Sequence, residues 1–423
     1  MQSDCFGHLP LQSALRFPLQ QIMKILLLNQ FYPPDVAASG QLLADLAEGL
    51  AGKGNEVYVV CSRRAYGGGA EKYPAKQLIN GVHIRRVSAT GFGRDNIVGR
   101  LIDYLSFYVL AACKALVLPR MDICVALTTP PFIGLCALML LLVKGTRPVL
   151  WAMDIYPEIA AAYGTLKKGG LPHRCLARIS RVIYRRARLI ISLGEVMTER
   201  LIEAGAEKEK ITTVHNWVPG EAVRPILPGN SVLRRELNLN GRAVLMYSGN
   251  LGIGHELETV VRAIKELGED GGIEALFVGN GKMRQPLAKL TGDLNLNCIR
   301  FCPPVPLEKL SDSLAAAEIH LVSQKSGTEG LIVSSKIYGV LAAGRPTLFI
   351  GPENCEPAII LRKSKSGIIV RPGDINGAAG ALRKLAGDRQ MRQTMGRCAR
   401  EYYENNFGRD RSISQIYKAI EAI

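Results

Sequence analysis

Short apolar segments and amphipathic segments take turns along almost the whole chain, and that alternation leaves few folds open. KILLLNQ (24–30) has the apolar run of a buried strand. A loop with Pro33, Pro34, Ser39 and Gly40 follows, then a helical stretch, QLLADLAEGLAGKG (41–54). EVYVVCS, VHIRRV, DICVAL, PVLWAM and LIISL supply further strands. The rhythm breaks at 214–241, which is rich in Pro, Gly and Asn, and restarts with AVLMYSGNLG (243–252). HELETVVRAIKEL reads as a helix, IEALFVGNGKM (273–283) as strand and glycine loop, and IRFCPPVP, EIHLVSQ, PTLFIG and GIIVRP as strands. This βαβ pattern predicts parallel sheets covered by helices.

The 423 residues can hold two or three cores. The reading divides them into an N-terminal Rossmann-like domain (23–217), a linker (218–241), a C-terminal Rossmann-like domain (242–400) and a C-terminal helix (401–423) that can pack back on the first domain. Residues 1–22 lack a signal peptide's apolar core and read as a disordered or mis-assigned start, with Met23 the natural beginning. Ligands of such sheets bind at the carboxyl ends of strands, so the cleft between the two domains is where a site is expected.

Composition removes several classes. The ten cysteines are scattered, and Cys298 and Cys302 have no second pair at metal spacing, so reduced thiols and no metal are expected. The segments 97–119 and 131–145 are apolar but broken by charge or too short to cross a bilayer, and read as buried or interfacial helices. The net charge is +16, and Ile159 to Gly194 holds eight basic residues and no acid. Arg174, Arg178, Arg181, Arg185 and Arg188 are spaced to share one helix face. That face is either a solvated surface or a docking surface for anionic lipid. Nucleic acid ranks lower, because no aromatic residues interleave with the arginines.

Three segments carry phosphate chemistry. Gly249-Asn250-Leu251-Gly252-Ile253-Gly254 follows a strand, and Gly279-Asn280-Gly281-Lys282 follows the next. Glycines there let backbone amides approach a diphosphate. The third is Glu329-Gly330-Leu331-Ile332-Val333-Ser334-Ser335-Lys336, running into a helix that stops at Gly344. His255 is either a residue of a helix start or a phosphate contact, and His320 reads as a core residue. Asp154 and Glu158 lie past a strand end, as solvated turn carboxylates or as cleft-facing groups able to accept a proton from an acceptor hydroxyl. No Walker A sequence, serine nucleophile elbow or HExxH is present.

NQFYPP…SGQLLADLAEGLAGKGNEV, VHNWV, YSGNLG, FVGNGKMR and EGLIVSSKIYGVLAAGRPTLF, in this order, resemble the retaining glycosyltransferases of family 4, from Met23 onward. The subgroup most similar makes bacterial surface polysaccharides, including the amino-deoxysugar transferases of O-antigen and capsule. The resemblance implies an α/β GT-B fold, two Rossmann-like domains facing a central cleft. It implies transfer of a sugar, with retention, from a nucleoside-diphosphate donor (a UDP-sugar favoured) to a lipid-linked glycan acceptor, with no cofactor or metal. The expected location is cytoplasmic, at the inner face of the membrane. Carried over residue by residue, Gly249, Asn250 and Gly252 would approach the phosphates, and the turn ending at Val305 would hold the base. Glu329 would bind sugar hydroxyls, and the amides of Gly330, Leu331 and Ile332 would meet the diphosphate. Gly40 and Asp154 would face the cleft from the N-terminal domain. Gly339 stands where the family has a ribose-binding glutamate. The family's cation pair is absent beside the first glycine loop, leaving Asn250, His255, Lys325, Ser335 and Lys336 to substitute. A nucleotide-sugar epimerase of the same architecture and a non-catalytic basic binding protein remain as alternatives.

Overall fold

The computed structural model describes residues 22–65, 72–92, 97–218, 223–239, 241–268 and 271–423. The expectation for residues 1–22 lies outside these, Ile22 apart. The N-terminal unit runs β1 (Lys24–Leu28), α1 (Ala38–Gly52), β2 (Glu56–Ser62), β3 (Lys76–Ile79), β4 (Val82–Val87), α2 (Ile97–Val117), β5 (Ile123–Ala126) and α3 (Gly134–Lys144). It continues with β6 (Arg147–Trp151), α4 (Glu158–Ala162), α5 (Leu171–Arg186), β7 (Leu189–Ser192), α6 (Glu195–Glu203) and β8 (Ile211–Thr213). Its sheet has the order β3-β4-β2-β1-β5-β6-β7-β8, parallel except for the β3 edge. The order reverses beside β1, so the loops after β1 and β5 diverge and open a crevice there.

The C-terminal unit runs α7 (Val232–Glu236), β9 (Ala243–Ser248), α8 (Glu258–Leu267), β10 (Ile273–Val278), α9 (Arg284–Asp293), β11 (Ile299–Cys302), α10 (Leu310–Ala315) and β12 (Ile319–Ser323). Then come α11 (Lys336–Ala342), β13 (Thr347–Ile350), α12 (Glu356–Ser364), β14 (Gly367–Val370), α13 (Ile375–Gly387), α14 (Arg389–Asn406) and α15 (Arg409–Glu421). Its sheet is wholly parallel, β11-β10-β9-β12-β13-β14, with the reversal beside β9. Strands such as ILLL and ALFV are apolar without alternation because helices cover both faces.

Three local readings change. The stretch expected to be a linker contains α7. Ser231 caps this helix by accepting from the Arg234 amide, and Asp312 of α10 accepts from the amides of Val232 and Leu233 at 2.6 and 3.0 Å. Arg188 is not on α5. Ala187 takes an extended conformation that ends the helix, and Arg188 leads into β7, so the basic helix face comprises Arg174, Arg178, Arg181 and Arg185. His255 precedes α8, which starts only at Glu258, so it is a loop residue.

The chain returns to the first domain at its end. Ile413, Ile416, Tyr417 and Ile420 of α15 are buried against α1 in the N-terminal core. Each such side chain contributes roughly 1.5–3 kcal/mol when fully buried. Asp45 of α1 joins both crossings, accepting from Trp217 Nε1 at 2.8 Å and from Arg409 Nε at 3.0 Å. Among the described residues no helix is long and apolar enough to cross a membrane.

Candidate active site

The loops after β9, β10 and β12 converge at one edge of the C-terminal sheet. At Gly249, φ is +131°, and an added Cβ would lie 2.8 Å from Lys336 Cε. At Gly279 a Cβ would lie 2.0 Å from the Gly249 carbonyl oxygen. Only glycine lets these two turns and the lysine stem occupy one small volume. Gly249 spends its own amide on Val278 O at 2.9 Å, so it offers close approach and no free donor. Asn250 is exposed, Gly252 half-buried, and Leu251 bonds back to Asn280.

His255 Nδ1 lies 2.8 Å from Ser323 O, and His255 Nε2 lies 3.0 Å from Lys336 Nζ. A carbonyl can only accept, so Nδ1 carries the proton and the Nε2 lone pair accepts a hydrogen bond from Lys336 Nζ. Burial, and after it the Lys336 charge, pushes His255 down to about 3. Burial pushes Lys336 down to about 7. The ammonium sits 5.0 Å from the Tyr247 ring centroid. Among the described residues it forms no ion pair. Burial opposes the charge of this amine, and its neighbours are a neutral imidazole and an aromatic face, so an anion bound beside it would favour the protonated form.

A second cluster lies where the domains touch. Glu329 Oε1 accepts from the Gly327 amide at 3.1 Å. Gly330 has φ +71° and backs onto α6. Leu331 is buried in the N-terminal core, its amide is bonded to Thr328 O at 3.0 Å, and its carbonyl accepts from the Ile155 amide at 2.9 Å. The expectation of a free amide at Leu331 is therefore corrected: the turn uses it. Ile332 forms a bridge with Asp154. Asp154 is fixed by Thr128 Oγ1, which accepts from the amides of Met153 and Asp154 at 3.1 and 3.0 Å. Burial raises its carboxyl to about 6, and it lines a small hollow with Phe132, Tyr156 and Ser180.

Beside Lys336 lies a cavity of about 150 Å³, bounded by Ala38 and Leu42 of α1, Trp217, Leu314, Lys336 and Gly339. An added Cβ at Gly339 would meet nothing nearer than Leu314 Cδ1 at 3.8 Å. Ser335 also borders this cavity. Gly40 is buried in the first turn of α1, packed against Phe31. Two expected residues stand apart from the lysine. Lys325 is exposed, its amide bonded to Gly254 O and its carbonyl accepting from Thr328 Oγ1, and Val305 packs beside the sheet core of β9 and β10. His320 is buried, as expected, with Nε2 2.9 Å from Leu314 O. Sequence reasoning missed Tyr247, Ser323 and Arg200; none carries a local pattern, and Arg200 reaches the site from 129 residues away.

This arrangement, a lysine-centred site in the C-terminal sheet beside a cavity that α1 of the N-terminal domain also borders, is that of a two-domain α/β protein with a ligand site between its domains. The family model described as a glycosyl transferase 4-like domain matches residues 38–217, and that described as glycosyl transferases group 1 matches residues 231–402. The chain belongs to the GT-B glycosyltransferases of family 4. It is 26% identical to WbjE of Pseudomonas aeruginosa, named as a glycosyltransferase, over 60% of this chain and 64% of that protein. It is 23% identical, over 94% of this chain and all of the relative, to WcaI of Escherichia coli (strain K12), named as a colanic acid biosynthesis glycosyl transferase. In fold it is similar to sucrose-phosphate synthase of Thermosynechococcus elongatus, with TM-score 0.77, 16% identity and coverage of 95% and 99%. HepE of Anabaena in complex with UDP-glucose gives TM-score 0.71, 16% identity and coverage of 95% and 100%.

Proposed function

We propose that this glycosyltransferase moves a sugar, with retention, from a nucleoside diphosphate to a lipid-linked glycan acceptor during surface polysaccharide synthesis. A UDP-sugar carrying a hexosamine or amino-deoxysugar is the favoured donor. The observation that carries the reading is Lys336, a half-buried ammonium with a neutral partner. A donor diphosphate answers that charge. UDP-glucose in the HepE structure and the name of WcaI support the donor class and the pathway.

In this reading the nucleoside enters the cavity beside Gly339, and the diphosphate lies across the Gly249–Gly252 turn against Lys336. Glu329 accepts hydrogen bonds from sugar hydroxyls. The acceptor oxygen attacks the anomeric carbon on the face the diphosphate leaves. The C–O bond to phosphate breaks as the new one forms, and the acceptor proton passes to the departing phosphate. Lys336 stabilises the charge that grows on that phosphate, in a site with little water to screen it. Asp154, above a pH of about 6 a carboxylate, orients the acceptor hydroxyl.

A membrane location for this reaction is supported by one face of the N-terminal domain. Helix α3 packs between α2 and α5. Leu101, Leu105 and Val109 of α2 and Leu142 and Val143 of α3 are exposed, and so are Arg174, Arg178, Arg181 and Arg185 of the α5 helix. Exposed apolar and cationic side chains on helices of one domain fit an anionic bilayer surface. The test is a panel of nucleotide sugars scored by thermal shift, then by transfer to membrane-extracted acceptor. A donor at a hundred times its dissociation constant adds ~2.7 kcal/mol of stability. No stabilisation by any nucleotide sugar would remove the reading.

A further inference from the structure

We propose that Arg200, on α6 of the N-terminal domain, is a positioning residue for Glu329 of the C-terminal domain, so that contact between the domains sets the sugar-binding carboxylate. The inference rests on Glu329 being the donor-sugar contact.

Arg200 Nε donates to the Glu329 carbonyl at 3.1 Å. Its Nη1 is engaged by Glu203 Oε2 at 2.8 Å, which holds the guanidinium in place. The next residue of the donor segment is pressed on the same helix. An added Cβ at Gly330 would lie 2.6 Å from Val196 O and 2.7 Å from Arg200 Cγ. One residue further, Leu331 is buried among N-terminal core side chains and its carbonyl accepts from Ile155. Glu329 is thus the last residue before a segment that the other domain holds. Arg200 fixes its carbonyl, and the Gly327 amide, donating to Oε1 at 3.1 Å, holds its carboxylate on that backbone.

Helix α6 is itself held by the C-terminal domain at its other end. A Cβ at Gly194 would lie 2.2 Å from Glu356 Cδ, so the Glu356 carboxyl fills the space over the start of the helix. Lys363 Nζ pairs with Glu195 Oε1 at 3.0 Å. With α12 at its start and the Glu329–Gly330 turn one and a half turns later, α6 cannot slide relative to the donor segment without breaking contacts at both ends. The domain contact and the orientation of Glu329 are one structural event.

Hydrogen exchange and nucleotide titration test this on the whole protein. In Arg200→Ala, amides of 326–334 are expected to exchange about fivefold faster, while those of α8 keep the wild-type rate. UDP-glucose affinity is expected to fall about tenfold, with UDP affinity unchanged, because UDP does not reach Glu329. Glu203→Ala, which spares the Nε bond, serves as the control and is expected to shift both readouts less. Unchanged exchange at 326–334, or equal weakening of UDP and UDP-glucose, overturns the proposal. A Glu329→Gln protein that binds UDP-glucose as well as wild type counts against the Glu329 reading itself. The exchange result in Arg200→Ala then decides the domain coupling separately.

Discussion

Lys336 donates a hydrogen bond to His255 Nε2 at 3.0 Å, and this bond joins the loop after β9 to the start of α11. It can form only because Ser323 O takes the other imidazole proton and Gly249 leaves room for the lysine stem. His255, Ser323 and Gly249, from the connections after β9 and β12, therefore hold the Lys336 amine in place, and among the described residues no carboxylate pairs with it.

That charge should be felt in a pH titration. Lys336 has a folded pKa of about 7 against 10.5 for the ordinary lysine. Between those values the unfolded chain holds the proton and the folded chain does not. This group therefore makes the empty protein more stable as pH rises through the window. A bound diphosphate favours the charged form and reverses the preference. Titration calorimetry near pH 8 in buffers of different ionisation enthalpy should show proton uptake on UDP binding, lost in Lys336→Met. Tight UDP binding without uptake would mean that another group meets the phosphate.

Asp154→Asn should keep donor affinity and lose turnover by roughly 10²-fold, if positioning of the acceptor hydroxyl carries typical weight. With the carboxyl raised to about 6 by burial, wild-type turnover should rise with pH through that value. The limb should vanish in Asp154→Asn. A limb that persists assigns it to a different group.

Gly339→Glu should fold, since the site has open space and an interior helical glycine costs about 1 kcal/mol relative to alanine. The new carboxylate would border the cavity where the ribose is proposed to lie. UDP should bind more tightly in this variant, as followed by calorimetry. Weaker binding would place the ribose elsewhere.

The fold was legible because parallel strands buried on both faces read as continuous apolar runs, as in KILLL and IEALFV, and glycine turns mark the ends of β9 and β10. The site was legible in parts. Glu329, His255 and Lys336 stand out as polar groups beside glycine loops, and the structure puts His255 in the loop after β9, Glu329 in the loop after β12 and Lys336 at the start of α11. Helix α7 was hidden by the Pro, Gly and Asn around it, although Ser231 is an ordinary N-cap. The basic repeat outran its helix at Arg188 because charge spacing does not report where a chain turns into a strand. Arg200 could not be found from sequence, since its contact with Glu329 exists only after two domains meet.

The membrane face can be checked with vesicles. Charge reversal of Arg174, Arg178 and Arg185 removes cations worth up to ~1 kcal/mol each near an anionic surface. Leu101→Ser with Leu105→Ser instead removes apolar insertion. Both variants should shift the protein off phosphatidylglycerol vesicles in sedimentation, the first more strongly at low salt. Wild-type sedimentation of both would exclude this face.

The central claim is that Lys336 receives the donor diphosphate. The most direct measurement is UDP affinity by calorimetry for wild type and Lys336→Met, with folding checked by thermal melting. Loss of a charge-assisted hydrogen bond of roughly 1.5–3 kcal/mol should weaken UDP about tenfold to a hundredfold while the fold persists. Equal UDP affinity in a folded Lys336→Met protein would contradict the claim.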